Sequence, residues 1–174
     1  RLRELCARSY EDARVTVVNE DALVWLDGSS QEFDAVLIDF PDPHSFALGK
    51  LYTTRFYSLL RKRMADGAAL AIQATSPLTT RRSYWCIVRT LSASGFAVRP
   101  YQASVPSFGV WGFALAKKEA FPLPAGKLPE GLRYLDGEVM RSLFTLPPDV
   151  GPVEVRVNRL DNQHLVRYYE TERK

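Results

Sequence analysis

The sequence predicts an α/β protein whose mostly parallel sheet ends in an antiparallel hairpin. Through residues 15–91, short apolar runs alternate with segments of helical periodicity, which is typical of parallel α/β folds. Two later strand-like runs, 96–105 and 110–116, are separated by only four residues, a connection too short for parallel neighbours. The 174 residues, 46% hydrophobic and 25% charged, are enough for one domain with a buried core.

The first elements are short. Residues 15–18 form a β-branched run that predicts a strand, and a short helix is expected over residues 22–26. The apolar run 35–38 predicts the next strand. A helix capped by Thr53 or Thr54 should follow, because apolar residues recur there at three- and four-residue spacing.

Asp66-Gly67 is expected to end that helix, and the apolar run 68–73 then predicts a third strand. A helix over residues 81–91 should carry its apolar side chains on one face. The hairpin formed by 96–105 and 110–116 closes this part of the chain.

Prolines are spread through the sequence after residue 116, and regular periodicity weakens there. The prediction is therefore a partial α/β domain over residues 1–116 and a C-terminal extension over residues 117–174. Within the extension we expect a linker loop over 117–133, a short helix near 137–144 and a mostly irregular tail.

Composition excludes several classes of function. The net charge of +3 comes from 23 basic and 20 acidic residues without a basic stripe, so nucleic acid is not an expected partner. Cys6, Cys86, His44 and His164 lack ligand spacing, so no metal site is predicted. No apolar stretch reaches 18 residues, which favours a cytoplasmic, soluble domain, and the first residue, Arg1, favours a fragment of a longer chain.

The most informative motif is Asp39-Phe40-Pro41-Asp42-Pro43, directly after the strand predicted at residues 35–38. In an open α/β sheet, ligands bind above the carboxyl ends of the strands. The two prolines restrict the loop, so the two carboxylates are held three positions apart. Such a pair suits a cationic ligand or proton abstraction from an amine. The alternative is an ordinary turn, because aspartate often follows a strand.

Taken together, these residues resemble the catalytic domain of the spermidine synthase family, the polyamine aminopropyltransferases. The likeness is greatest to the bacterial branch in which this domain follows a membrane-spanning region. The matching stretches cover most of the chain in the family's order. They are residues 14–22, 33–43, 51–53 with 56–57, 73–77, 105–113 and 158–169.

The resemblance implies a Rossmann-like sheet of the kind found in S-adenosyl-dependent transferases, and an enzyme of spermidine biosynthesis. Asp39 would be the general base that takes a proton from a diamine such as putrescine, and Asp42 would hold its ammonium group. The co-substrate would be decarboxylated S-adenosylmethionine and one product methylthioadenosine, with no permanently bound cofactor.

Four more residues are assigned through the resemblance. Asp21 and Ala22 match the turn that meets the adenine, although a helix N-cap is the alternative for Asp21. Gln73 would line the substrate crevice, or be a buried, satisfied amide. Phe108 stands where soluble spermidine synthases place a tyrosine that helps to orient the amine, so the identity of the acceptor amine stays open.

The sequence also departs from the family pattern. Residues 1–14 contain neither the glycine-rich loop nor the acidic residue that meets the ribose hydroxyls. The family's first strand would lie between the strands at 15–18 and 35–38, so without it the edge at 35–38 would be open. We therefore expect a homo-oligomer or another partner to cover this edge, and we expect the fragment alone to be inactive. The parent chain is expected at the bacterial inner membrane.

Two other functions remain open from the residues alone. A methyltransferase can use the same fold, since fold does not fix function. The chain could also be a non-catalytic interaction module that keeps the sheet without the nucleotide-binding loop. The acid pair at Asp39 and Asp42 disfavours the methyltransferase, because many methyltransferases place a neutral loop at this position.

Overall fold

A computed structural model describes residues 9–174, and it contains a four-stranded mixed sheet with helices packed against it. The strands are β1 (Phe33–Ile38), β2 (Met64–Gln73), β3 (Ala97–Val105) and β4 (Gly109–Lys117). The helices are α1 (Ala22–Gly28), α2 (Phe46–Gly49), α3 (Thr54–Arg63), α4 (Arg81–Ala93), α5 (Gly137–Leu143) and α6 (His164–Glu172), with short 3-10 turns at Lys50–Tyr52 and Pro148–Val150.

The sheet has the order β1-β2-β4-β3. β1 and β2 are parallel, whereas β4 is antiparallel to both β2 and β3. Ile38 at the end of β1 is level with Ile72, and Gln73 at the end of β2 is level with Phe113. The predicted fold class, a Rossmann-like α/β sheet with a C-terminal antiparallel hairpin, is confirmed.

The prediction of a strand at residues 15–18 is wrong. These residues form no ladder with any described strand, and Val15, Val17 and Val18 are exposed. A β-branched run becomes a strand only when a neighbour pairs with its backbone groups. β1 is consequently an edge strand, and Leu37 on it is 85% exposed.

The predicted end of α3 is also wrong. α3 ends at Arg63, and Asp66 and Gly67 lie inside β2 instead of stopping the helix. Gly67 has a φ of +82°, which L side chains rarely adopt, and the pairing register with β1 shifts in this region. A glycine inside a strand therefore marks an irregularity of the ladder here rather than a boundary.

The other predicted helices form where the apolar spacing placed them. Thr53, one of the two candidate caps, accepts a hydrogen bond from the backbone N–H of Phe56 at 3.3 Å. α4 buries Tyr84, Ile87 and Leu91 completely. None of the helices described over residues 9–174 has both the length and the apolar character needed to cross a bilayer.

The tail, expected to be mostly irregular, contains a helix that was not predicted, because residues 164–172 form α6. Leu165, Val166 and Tyr169 of this helix are buried. The Glu172 carboxylate accepts hydrogen bonds from the first turn of α4, including the N–H of Ser83 at 3.0 Å. The last helix is therefore packed along α4, while the proposed division of the chain at residue 116 stays a prediction.

Asn158 connects this tail to the centre of the molecule. Its fully buried side-chain amide donates to the carbonyl oxygens of Gly49 and Tyr52, each at 3.1 Å. Its side-chain oxygen accepts from the N–H of Leu165 at 3.2 Å. One side chain thus fixes the start of α6 against the segment that follows α2.

Candidate active site

A cavity of about 730 Å³ lies at the carboxyl ends of β1 and β2, beside the β3–β4 hairpin. This is the end of the sheet at which α/β proteins bind ligands. Four predicted site residues share its lining: Asp39, Asp42, Gln73 and Phe108. The sheet therefore brings together residues that are far apart in the sequence.

Residues 39–43, here called the acid loop, are anchored through Phe40 and Pro41, which lie between the two aspartates. Phe40 makes edge contacts with the rings of Tyr52 and Phe56, with centroids 5.9 Å and 5.5 Å away. The hydroxyl of Tyr52 donates to the carbonyl oxygens of Phe40 at 3.2 Å and Pro41 at 3.0 Å. These contacts hold the loop backbone. The side chain of Asp39 is exposed and lines the cavity.

Tyr52 is fully buried, and its pKa is affected by the charge of the loop. Burial raises its pKa well above the ordinary value, and the nearby carboxylates of Asp42 and Asp39 raise it further. The phenol therefore stays protonated and keeps donating to the loop backbone. Among the ion pairs between described residues, none includes Asp39 or Asp42, so no cation of the described chain neutralises the pair.

Asp42 is half-buried and has an asymmetric environment. The hydroxyl of Tyr169, on α6, donates to its Oδ2 at 2.6 Å. Its Oδ1 is buried and has no hydrogen-bond partner in the described part of the chain. The N–H of His44 donates to the Asp42 backbone carbonyl at 2.8 Å, which closes the loop after the acid pair.

Gln73 is the last residue of β2 and is half-buried at the cavity wall. Its side-chain oxygen accepts from the N–H of Thr75 at 3.4 Å. Its side chain therefore lines the cavity and is partly engaged with its own strand end.

Phe108 lies in the turn between β3 and β4 and is 67% exposed. Its ring contacts Trp111 with centroids 5.1 Å apart. Tyr101 and Phe113, which also line the cavity, stack on each other at 5.2 Å. The hairpin side of the cavity is therefore an aromatic wall, a surface that attracts cations.

Asp21 does not line this cavity. It is the N-cap of α1, where its Oδ1 accepts from the N–H groups of Leu23 at 3.0 Å and Val24 at 3.3 Å. Its Oδ2 is paired with the ammonium group of Lys50, and this hydrogen bond holds the pKa of Asp21 below its ordinary value. The N-cap alternative for Asp21 is thus realised in the structure.

Ala22 lines a second cavity of about 300 Å³. Three residues at the end of β1 line both cavities: Leu37, Ile38 and Phe40. The cavity lined by Ala22 and the cavity lined by the acid pair therefore share these residues.

Sequence reasoning missed Tyr169, Lys50 and the aromatic lining residues Tyr101 and Trp111. The helical spacing of Leu165, Val166 and Tyr169 was a usable signal for α6 and for a tyrosine on its buried face. The pairing of Lys50 with Asp21 had no such signal, because the two residues are 29 positions apart.

Residues 1–124 match the family described as the Spermine/spermidine synthase domain. A Leptospira interrogans protein named polyamine aminopropyltransferase is 50% identical over 172 residues, 98% of this chain and 34% of that protein. Polyamine aminopropyltransferase 1 of Streptomyces coelicolor is 41% identical over 173 residues, 98% of this chain and 33% of that protein. The chain thus spans about a third of the length of these relatives.

Solved structures agree in fold. A spermidine synthase crystallised with the transition state analogue AdoDATO superposes with a TM-score of 0.70 at 23% identity, over 83% of this chain and 52% of that one. The Thermotoga maritima spermidine synthase gives a TM-score of 0.67 at 19% identity, over 83% and 50%. On the family match and the relatives together, this chain belongs to the spermine/spermidine synthase family.

Proposed function

We propose that the protein carrying this domain is a polyamine aminopropyltransferase. It transfers the aminopropyl group of decarboxylated S-adenosylmethionine to a diamine such as putrescine and yields spermidine and methylthioadenosine. The observation that carries the proposal is the un-neutralised acid pair, Asp39 and Asp42, at the mouth of an aromatic-walled cavity. The names of the curated relatives support the same reaction.

The proposed chemistry requires a base and no metal. A primary ammonium must lose a proton before its nitrogen lone pair can attack carbon, and Asp39 is the exposed carboxylate placed to accept that proton. The nitrogen forms a bond to the aminopropyl carbon beside the sulfonium. The carbon–sulfur bond breaks, its electron pair returns to sulfur, and neutral methylthioadenosine leaves.

Asp42 holds the same amine by charge and hydrogen bonding in this proposal. The ring of Phe108 and the aromatic wall behind it stabilise the cationic chain of the diamine. Gln73 limits the crevice from the end of β2. Together these residues orient the reacting nitrogen, which contributes to the rate by positioning alone.

Asp21 and Ala22 are proposed to meet the adenine of the sulfonium nucleoside. Since both oxygens of Asp21 are engaged, adenine binding requires it to exchange the Lys50 ammonium for the exocyclic amine of the base. The N–H of Ala22 is one of the first in α1 and is therefore without a partner inside the helix.

The proposal includes the surroundings of the domain. Leu37, 85% exposed on the edge strand β1, together with Val24, 66% exposed, leaves apolar surface that a further strand, a second copy or another chain would cover. We propose that the parent is anchored at the bacterial inner membrane. We also propose that residues 1–174 alone do not turn over substrate, because residues 1–14 include no glycine-rich loop.

The test uses the full-length protein and measures transfer of radiolabelled aminopropyl groups from decarboxylated S-adenosylmethionine to putrescine. Asp39→Asn is expected to reduce kcat by about 100-fold or more, since loss of a general base typically costs that much. Asp34→Asn, on the exposed start of β1, is the matched control and should retain activity. Full activity of Asp39→Asn would remove Asp39 from its role.

Three further measurements address the other parts of the proposal. Methyl transfer from S-adenosylmethionine without aminopropyl transfer would contradict the reaction itself. A measurable rate from isolated residues 1–174 would contradict the proposed inactivity of this part. Concentration-dependent sedimentation of the isolated chain that disappears in Leu37→Lys is expected if the open edge is a contact surface.

A further inference from the structure

The last helix of the chain contacts the acid loop directly. The hydroxyl of Tyr169 donates to Asp42 Oδ2 at 2.6 Å, across a sequence separation of 127 residues. Tyr169 is only 6% exposed, so the donor is held by packing as well as by this bond. The contact joins α6 to the cavity that the sheet forms.

The cationic side chain of Arg173 contacts Tyr169 but forms no ion pair with Asp42. Nη1 of Arg173 donates to the Tyr169 hydroxyl oxygen at 3.2 Å, and the guanidinium lies 5.6 Å from the centre of the same ring. Asp42 forms no ion pair with any described residue. A direct arginine pair would neutralise the carboxylate, whereas a phenol donor orients it and leaves its negative charge.

The remaining oxygen of Asp42 lacks a donor. Oδ1 is buried and unpartnered within residues 9–174, and a buried carboxylate oxygen without a hydrogen bond is unfavourable. Asp42 also lines the large cavity, beside Asp39. A primary ammonium in this cavity would carry three N–H donors and the charge opposite to that of the Asp42 carboxylate.

We propose that Tyr169 is a positioning residue for the amine substrate: by binding Oδ2 it holds the carboxylate of Asp42 in place at the cavity for the ammonium group of the diamine. This inference rests on the proposed function and extends it to α6. The helix lies beyond residues 1–124, which match the family, so the C-terminal part of the chain contributes to substrate selection as well as to packing.

The relatives are compatible with a shared role for this region. The Leptospira interrogans protein matches over 98% of this chain. The similarity therefore reaches past the hairpin into the segment that includes α6.

The experiment uses the full-length protein and the variant Tyr169→Phe, which keeps the ring and removes only the donor. We expect the KM for putrescine to rise about tenfold, since a hydrogen bond to a charged group is removed. kcat and the KM for decarboxylated S-adenosylmethionine should stay near their original values. Titration calorimetry should give the same tenfold loss in putrescine affinity.

Tyr168→Phe is the matched control. Tyr168 lies on the same helix, and its hydroxyl accepts from the N–H of Arg156 at 3.2 Å instead of donating to the acid loop. It should leave both KM values unchanged. In an Asp42→Asn background, Tyr169→Phe should add little further loss, because the interaction it removes acts through Asp42.

Several outcomes overturn the inference: an unchanged KM for putrescine in Tyr169→Phe, an equal rise for both substrates, or the same rise in Tyr168→Phe. If the original protein binds putrescine but transfers no aminopropyl group, the proposed reaction fails while the calorimetric comparison still decides the role of Tyr169. If it binds no diamine at all, both proposals fail.

Discussion

The backbone N–H of Gly112 donates a hydrogen bond of 2.7 Å to the carbonyl oxygen of Thr75, and the Gly112 carbonyl accepts from Ala74 at 2.9 Å. This pair of bonds ties the polar end of β2 to β4, next to the cavity. Thr75 has a φ of +65°, a conformation that is rare for a β-branched residue. Its hydroxyl accepts from that of Thr80 at 2.9 Å, which helps to hold it there.

Gly112→Ala should therefore destabilise the protein. A Cβ at this position would lie 2.5 Å from ring carbons of Tyr84 and 2.7 Å from the Thr75 carbonyl oxygen, closer than real contacts allow. We expect a loss of about 1–3 kcal/mol in the free energy of unfolding, measured by urea titration. Gly126→Ala is the control, because no atom lies within 4 Å of a Cβ built there. Equal stability of the two variants would contradict the close approach.

Asn158→Ala should cost about 3 kcal/mol in the free energy of unfolding. The change leaves the carbonyl oxygens of Gly49 and Tyr52 and the N–H of Leu165 without their buried partner. Chemical denaturation followed by circular dichroism measures the loss. The exposed Asn19→Ala serves for comparison and should change stability little. A small effect at Asn158 would mean that α6 is not held through this side chain.

The stability of the fold should fall as the pH rises above about 10, because buried tyrosines resist ionisation in the folded chain and ionise readily once it unfolds. Burial, aided by the bond to Asp42, raises the pKa of Tyr169 from its ordinary value of 10.0 to about 12. Since unfolding restores the lower pKa, the stabilisation that Tyr169 contributes is complete below about pH 10 and is lost between there and about pH 12. Burial also raises the pKa values of Tyr52 and Tyr84.

Urea titrations at several pH values between about 8 and 12 measure this dependence. Tyr169→Phe should show a shallower decline than the original chain, because one of the titrating groups is absent. A free energy of unfolding that stays constant through this range would argue against the buried state of these phenols.

The thiol of Cys86 should be unreactive in the folded protein. It is fully buried, its Sγ donates to the Arg156 carbonyl oxygen at 3.2 Å, and burial raises its pKa to about 12. With Cys6 replaced by serine, an aromatic disulfide reagent at neutral pH should label Cys86 only after denaturant is added. Rapid labelling without denaturant would show that α4 opens readily.

Much of this fold follows from local pattern. The apolar run before Asp39 predicted β1, the candidate caps Thr53 and Thr54 predicted the start of α3, and the short turn near Phe108 predicted the antiparallel hairpin. Each of these signals is contained in a few neighbouring residues. The run at 15–18 failed for the opposite reason, because strand formation depends on a pairing partner elsewhere.

By itself the sequence determined the order of the elements and the placement of Asp39 and Asp42 at the end of a strand, since apolar periodicity and turn residues act over short distances. Only the tertiary structure decided that Asp42 is bound by Tyr169, and that Asp21 is paired with Lys50. These partners are 127 and 29 positions apart, so their contact depends on how α6 and the segment after α2 pack, which no local pattern specifies.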